Sequence, residues 1–504
     1  MEKARFGSFV YVVAAAHLLL HLVSGRGYGI FRDELYYLAC ADHLDWGYVD
    51  HPPLSILLLW IQRALLGESV FAIRVLPALV GVALVFLAAR LARELGGGRF
   101  AEGLAALAVA IVPQYLAITG FFSMNAFDLL FWAAAALVVA RIVNTGDARL
   151  WLVLGGLLGL GLQNKISVLF FGFGLAAALV LTPLRSHLRS PHLWLGGLLA
   201  AVLFLPHVLW QVRYHWPTLE FIRNAKQYKI ADLTPLQFFG AQINEIHPLN
   251  VPLWLGGLLW LLAARDGRKF RVLGIIYVVA FVTMVLQKSK PYYLGPAYPM
   301  LLAAGAVGFE GLSRARTALR PVVVSVLALS GLLTAPLGIP LLPVETFIAY
   351  QRFLGVAPVA AERTALGPLP QHFADRFGWE EMSAAVAEVY KSLSESERAR
   401  ALIVGSNYGE AGAIRYFGPR YGLPLAVSQH NSYFLWGPGK ERVDVVITVG
   451  MSAEDVADTF ESVTEARRLE SPYAMPFETR QPILVCRGFK IPLAEAWARG
   501  RRYI

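Results

Sequence analysis

Two adjacent acids, Asp33 and Glu34, open a polar stretch that follows the first apolar run, FRDELYYLACADHLDWGYVDHPPL at residues 31–54. The stretch closes on Asp50 and His51, just ahead of Pro52 and Pro53. A carboxylate at a membrane surface can accept the proton of an attacking hydroxyl or amine. The same acids can instead cap a short helix that starts near Asp33, since Asp is favoured at helix starts. Spacing alone leaves both readings open. Cations and aromatics recur further on: Arg74 at the start of the second apolar run, Lys165 after Gln163 and Asn164, and Lys288, Lys290, Tyr292 and Tyr293 in QKSKPYYLGPAYP. Such lysines either meet an anion or snorkel from a helix end. Arg74 either binds substrate or anchors its helix at the interface. Asp128, about one turn into an apolar helix, is costly there, so it either serves function or pairs with a basic neighbour. Asp50, His51 and His247 form a weak candidate set for a divalent metal, and no other cofactor is implied.

These residues must be held by elements that do not face water. The chain has 504 residues, 56% of them hydrophobic and 16% charged. A soluble domain holds about 25% charged residues. The apolar surplus falls into runs near the roughly 20 residues needed to cross ~30 Å of hydrocarbon. The expected spans are residues 6–24, 70–91, 100–119, 126–143, 150–162, 167–184, 193–212, 251–263, 272–286, 298–312 and 321–337. The first reads as a retained helix and not as a removed signal peptide. His17 and His21, one turn apart on it, read as packing or interhelical hydrogen bonds. Trp151, Trp194 and Trp254 each precede a Gly pair, which suggests interfacial Trp and small-residue packing surfaces.

The net charge of +10 does not point to nucleic acid. With Lys3 and Arg5 cytoplasmic, every second loop should be basic. Arg90, Arg93 and Arg99 fit that rule, as do Arg141 with Arg149 and Arg185 with Arg189. The last two such loops carry Arg265, Arg268, Lys269 and Arg271, then Arg314, Arg316 and Arg320. Residues 25–66, 213–250 and 287–299 then lie outside and form the functional face. From residue 368 the chain reads as soluble. A helix is expected at 379–390, then a strand at 401–405, a Gly-containing turn and a helix at 411–417. Further strands are expected at 425–428, 443–449 and 482–486. The expected division is a transmembrane module at 1–338, a linker at 339–367 and an extracytoplasmic α/β domain at 368–504. Asn407, Tyr408, Glu410, Gln429, His430 and Asn431 are polar residues there that could touch a glycan or simply sit in solvated loops. Cys40 and Cys486 read as unpaired thiols.

The acid pair after the first helix, with a basic residue before Pro-Pro-Leu, resembles the GT-C membrane glycosyltransferases. The nearest branch is the protein O-mannosyltransferase and aminoarabinose transferase group. Residues 71–74 are similar to that group's Arg-containing helix start. Residues 123–132 fall where the group carries an Asp-containing motif, Lys165 resembles its lysine at an outer helix end, and residues 287–299 resemble its Lys-Pro-Tyr-Tyr loop. These pieces cover roughly residues 1–340. Two departures stand out: Asn125 occupies the place of a second acid, and His51 that of a lysine in some relatives. The resemblance implies a mainly α, polytopic GT-C fold of about eleven helices with a small outer α/β domain. It implies a polyprenyl-phosphate-linked sugar as donor, a lipid, glycan or protein as acceptor, and an inverting transfer in a plasma membrane. Asp33 and Glu34 would be catalytic, with Asp33 as base. His51, Arg74, Asn125, Asp128, Lys165, Lys288, Lys290, Tyr292 and Tyr293 would hold donor phosphate or substrate. Two rivals remain: a transporter or flippase of lipid-linked sugars, and a non-catalytic glycan-binding membrane protein. A transporter would tend to place its polar residues near mid-membrane, in two related halves.

Overall fold

The computed structural model describes residues 5–25, 27–358, 362–440 and 442–504; Lys3 and residues 359–361 of the expected linker lie outside the described residues. Five helices are long and apolar enough to cross a membrane: Val70–Glu94, Met124–Thr145, Pro191–Arg213, Arg268–Leu286 and Leu319–Gly338. Three further runs are bent pairs: Arg99–Ala110 with Pro113–Thr119 (66°), Val168–Leu181 with Pro183–Arg189 (100°), and Pro235–Glu245 with Pro248–Ala263 (100°). Counting each pair as one span gives eight among the described residues, against about eleven expected. The breaks fall at Pro113, Pro183 and Pro248, where a proline lacks the N–H that would continue the helix. Ser8–Ser24, Leu54–Leu66 and Leu150–Asn164 are shorter apolar helices. The chain is a multi-pass membrane protein.

Burial sorts the helices. Met124–Thr145 is largely enclosed, whereas Pro191–Arg213 exposes Leu195, Leu198, Val202, Leu205 and Leu209. That 3-4-3-4 spacing is one helical face, and an apolar face left exposed belongs against lipid. Small residues set the closest approaches. A Cβ on Gly155 would lie 2.1 Å from the Gly196 carbonyl oxygen, and one on Gly257 would lie 2.0 Å from that of Leu301. The recurrent Trp-and-Gly fragments are therefore helix contacts. His21 Nε2 lies 3.0 Å from Thr119 Oγ1 and 3.2 Å from His17 Nε2, so the histidine pair bonds between helices.

The polar stretch after the first helix contains two helices: Arg32–Asp42, the short helix that the capping reading of the two acids expected, and Leu54–Leu66. The expected linker contains the helix Val344–Phe353. Beyond it the chain forms a five-stranded sheet: β1 (Ala401–Gly405), β2 (Val427–Ser428), β3 (Val445–Val449), β4 (Phe460–Arg468) and β5 (Pro482–Phe489). The order is β2-β1-β3-β5-β4. β1 pairs parallel with β2 and β3, and β5 pairs antiparallel with β3 and β4. Strand β4 was not anticipated, because its exposed run Glu461–Arg468 lacks an apolar alternation. Helix Tyr408–Phe417 lies on helix Arg32–Asp42, with Gly412 against Leu35 and Gly409 against Arg32. One continuous apolar core joins Leu35 and Leu38 to Trp379, Ile403 and Ile414. Both cysteines are free and buried.

The close packing at Gly155 yields a direct test. Gly155→Ala should lower stability by ~1–3 kcal/mol, the usual cost of an overpacked contact. Gly197→Ala, with open space at its Cβ, should be neutral. Thermal unfolding of the detergent-solubilised variants measures both, and equal melting temperatures would refute the close-packed contact.

Candidate active site

The two acids of the outer helix are divided by their environment. Glu34 is 1% exposed and Arg74 4%. Arg74 Nε donates to Glu34 Oε1 at 2.9 Å and Nη2 to Oε2 at 2.7 Å. The Phe122 N–H also donates to Oε1 (2.9 Å), and the Phe31 N–H to Oε2 (2.8 Å). Arg74 further donates to the carbonyls of Gly25 (3.0 Å) and Gly29 (2.7 Å). Each carboxylate oxygen thus accepts two hydrogen bonds, which leaves Glu34 poorly placed to receive a substrate proton. The pair ties the end of the first helix, the outer helix, the start of Val70–Glu94 and the turn at Phe122 into one node.

Asp33 is different. It is partly exposed, and its Oδ1 accepts from the Tyr408 hydroxyl at 2.9 Å. Lys229, Lys290 and Tyr292 lie near enough to feel its charge, and the polar region around these side chains is termed the recess. Lys165, in extended backbone after helix Leu150–Asn164, reaches the tyrosine pair of the loop that carries Lys290. Its Nζ donates to Asn125 Oδ1 at 2.8 Å, lies 3.4 Å from Asp128 Oδ2, and sits 4.6 Å from the centre of the Tyr293 ring. Ser167 Oγ donates to Asp128 Oδ2 at 2.7 Å. Asp128 is therefore the basic-paired intramembrane acid, and Asn125 is a neutral acceptor that orients the same ammonium without cancelling its charge.

A second cationic pair lines the recess. Lys290 Nζ lies 2.5 Å and Lys229 Nζ 3.6 Å from Glu362 Oε1. Burial opposes ionisation of Glu362, but Lys229 and Lys290 outweigh it and hold this carboxyl at about 2. Burial pulls the Lys229 ammonium down, and Lys290 and Arg32 add to that effect. Tyr292 and Tyr293 meet edge to face at 4.7 Å. Gln114 Nε2 donates to the Tyr292 carbonyl at 2.6 Å and so fixes their loop. Lys288, one turn away in the sequence, is exposed and paired with Asp232 at 3.0 Å; it stands outside this constellation.

His51 is fully buried, stacked on Tyr37 at 4.7 Å and tilted against Tyr48 at 4.9 Å. Its Nδ1 lies 3.0 Å from the Pro52 carbonyl oxygen, and its Nε2 4.0 Å from Asp50 Oδ1. Asp50 Oδ1 accepts from the Tyr36 hydroxyl at 2.8 Å, and burial pushes its carboxyl up. The metal expectation is not met. Among the described residues no three His, Cys, Asp or Glu side chains gather to hold an ion. His247 sits at the break of a bent helix pair, its Nδ1 accepting from the Leu249 N–H at 3.1 Å.

Most of the C-terminal residues considered for glycan contact are tied up internally. Asn407 caps helix Tyr408–Phe417 and Glu410 turns back to the Asn407 N–H. Gln429 donates to the Ala496 carbonyl and Asn431 accepts from the Ile504 N–H. Tyr408 alone of these reaches Asp33. Sequence reading passed over Lys229 and Glu362. Lys226 and Lys229 look alike in a polar loop, and only the fold brings one of them to Lys290.

Residues 50–210 match the family model described as dolichyl-phosphate-mannose-protein mannosyltransferase. A curated relative, the lipid A galacturonosyltransferase RgtD of Rhizobium johnstonii, is 26% identical over 271 residues, 52% of this chain and 56% of its own. The chain thus spans little more than half of that relative's length. Among solved structures, ArnT from Cupriavidus metallidurans in the apo state superposes with a TM-score of 0.66 at 16% identity, covering 95% of this chain and 98% of that one. ArnT bound to undecaprenyl phosphate gives 0.63 at 16% identity over the same shares. The oligosaccharyltransferase of Archaeoglobus fulgidus gives 0.51 at 14% identity, over 90% of this chain and 68% of that one. The chain has the GT-C membrane-glycosyltransferase fold.

The two acids should separate experimentally. Breaking a buried ion pair by removing one partner costs ~3–5 kcal/mol, so Glu34→Gln should lower the melting temperature sharply. Asp33→Asn should leave it near wild type. Unfolding followed by fluorescence in detergent decides the matter; equal stabilities for the two variants would show that Glu34 is no structural node.

Proposed function

We propose that the chain is a glycosyltransferase that moves a sugar from a polyprenyl-phosphate carrier to an acceptor at the outer face of a plasma membrane, with Asp33 as general base. The observation that carries this reading is a part-exposed carboxylate, Asp33, in the neighbourhood of two lysines, Lys229 and Lys290, that meet on Glu362, in a chain with the GT-C fold. An ArnT structure binds undecaprenyl phosphate, which supports a lipid-linked donor for this fold. The name of the galacturonosyltransferase relative includes lipid A, which favours a lipid-borne saccharide as acceptor.

Orientation of the helices supports the outer face. Val70–Glu94 carries Arg74 near one end and Arg90 and Arg93 near the other. At 1.5 Å per residue such a helix is about 37 Å long, enough to separate its ends across the hydrocarbon. Met124–Thr145 runs from Asn125 and Asp128 to Arg141, and Leu150–Asn164 runs back to Lys165. The arginine-bearing ends meet one another: Arg141 lies 3.4 Å from Glu94, and Lys269 donates to Asn144 at 3.1 Å. A basic end opposite the recess is the arrangement expected when that end is cytoplasmic. The C-terminal α/β region, from about residue 368, then lies outside with the recess it packs against.

In the proposed reaction Asp33 takes the proton of an acceptor hydroxyl or amine as the nucleophile bonds to the anomeric carbon. The bond from that carbon to the phosphate oxygen breaks, and its electron pair leaves with the polyprenyl phosphate. A phosphodiester with one negative charge thereby becomes a monoester with up to two. Lys165, Lys229 and Lys290 stabilise this growing charge, and fixed cations in a recess shielded from water do so strongly. Tyr292 and Tyr293 wall the donor. Glu34 and Arg74 hold the helix that aims Asp33. Attack on the face opposite the departing phosphate inverts the anomeric centre.

Purified protein in lipid, given labelled polyprenyl-phosphate sugars and a membrane extract as acceptor source, should release label from its carrier. Asp33→Asn should slow transfer roughly a hundredfold or more. Lys165→Ala should also slow it by about 10²-fold or more, the scale of losing a charge-stabilising group. Equal release by wild type and Asp33→Asn, or none from any donor, would overturn the reading.

A further inference from the structure

The side chain that reaches Asp33 comes from the other end of the chain. Tyr408 begins helix Tyr408–Phe417, and its hydroxyl donates to Asp33 Oδ1 at 2.9 Å. Its ring is stacked between Tyr36 (4.6 Å, 28°) and His430 (4.8 Å, 24°). Its backbone N–H donates to His430 Nδ1 at 3.3 Å, and the side chain of the preceding Asn407 caps the helix. The Arg32 guanidinium lies 5.5 Å from the ring centre. The helix itself cannot lift easily, because Gly409 and Gly412 bring its backbone against Arg32 and Leu35. The phenol is therefore a rigid donor, buried to all but 7% of its surface.

We infer that Tyr408 is a positioning residue for the transfer proposed above, the means by which the C-terminal α/β region aims the base. Asp33 stands in the first turn of a helix and is partly exposed, so its carboxylate has torsional freedom of its own. A base works only within hydrogen-bond reach of the proton that it removes. The Tyr408 hydroxyl holds Oδ1. Oδ2 accepts no hydrogen bond from the described residues and is left for the acceptor's proton. One oxygen is fixed by the α/β region and the other is turned to the chemistry. This assigns the C-terminal region a part in catalysis as well as in packing.

The inference rests on Asp33 being the base, and the test keeps the two apart. Tyr408→Phe retains the ring stack and removes only the hydroxyl. In the transfer assay its kcat should fall roughly ten- to a hundredfold, the range of losing a hydrogen bond to a charged group. KM for the donor and the melting temperature should not change. The double variant Asp33→Asn/Tyr408→Phe should be no slower than Asp33→Asn alone, since the hydroxyl acts only through that carboxylate. A wild-type kcat in Tyr408→Phe would overturn the inference. So would a loss that tracks donor KM or stability, or a full additive loss in the double variant. If Asp33→Asn is slow while Tyr408→Phe is not, this inference alone falls. If Asp33→Asn turns over like wild type, the base assignment falls with it.

Discussion

A carboxylate and a guanidinium with almost no contact with water, Glu34 and Arg74, are what this end of the protein is built around. Charges taken out of water are costly unless their hydrogen bonds are replaced. Here they are replaced completely on the acid: two guanidinium donors and two backbone N–H groups converge on its two oxygens. The arginine spends its remaining donors on the carbonyls of Gly25 and Gly29. Such a node has one satisfied geometry, because moving any of its segments strands a buried charge. Three stretches that are distant in the sequence, the one from Gly25 to Glu34, the one at Arg74 and the one at Phe122, are therefore held in register by these polar contacts as well as by the apolar core beside them.

Asp33 borrows this rigidity. Consecutive residues on a helix point about 100° apart, so fixing Glu34 inward turns its neighbour toward the recess. Two adjacent acids of nearly identical chemistry thus receive opposite tasks. The lysines of the candidate site are prepared in a related way, each held by a partner that limits but does not abolish its availability. Lys165 has a neutral amide oxygen at 2.8 Å and a carboxylate at 3.4 Å. Lys229 and Lys290 share the one carboxyl of Glu362. Two lysines on one acid leave one positive charge, which Asp33 balances overall, so an anionic carrier would meet fixed cations in a site of no net charge.

Much of this was legible in the sequence, for identifiable reasons. Apolar runs reveal helices because hydrocarbon imposes a length, and the basic loops give an expectation of their polarity. Asp33, Lys165, Lys290, Tyr292 and Tyr293 stood out as candidates because their residue types sit at helix ends, and the fold brings Lys165 against Tyr293 and Lys290 beside Tyr292. What was missed lay in relations that no local pattern carries. Lys288 and Lys290 are two residues apart and equally basic, yet one faces water and Asp232 while the other is enclosed with Glu362. Lys229 carries no signal that Lys226 lacks. His51 looks like a ligand by residue type, but the aromatic packing of Tyr36, Tyr37 and Tyr48 makes it part of the loop's core. Pro113 lies inside the expected span 100–119, and reading that run as one straight helix overlooked its break, whereas Pro183 and Pro248 fall at or beyond the ends of their expected spans.

The departure at Asn125 finds a physical account in the same geometry. An acid there, beside Asp128, would put two carboxylates on one ammonium and turn a neutral cluster negative. An amide keeps the hydrogen bond that orients the lysine and leaves the ion pair to Asp128, which Ser167 also holds. The substitution shifts the balance of the recess by one positive charge while preserving its shape. A site whose partner is an anion that gains charge on departure is served by that shift. The apparent loss of an acidic motif is thus compatible with transfer chemistry and gives no support to a silent scaffold.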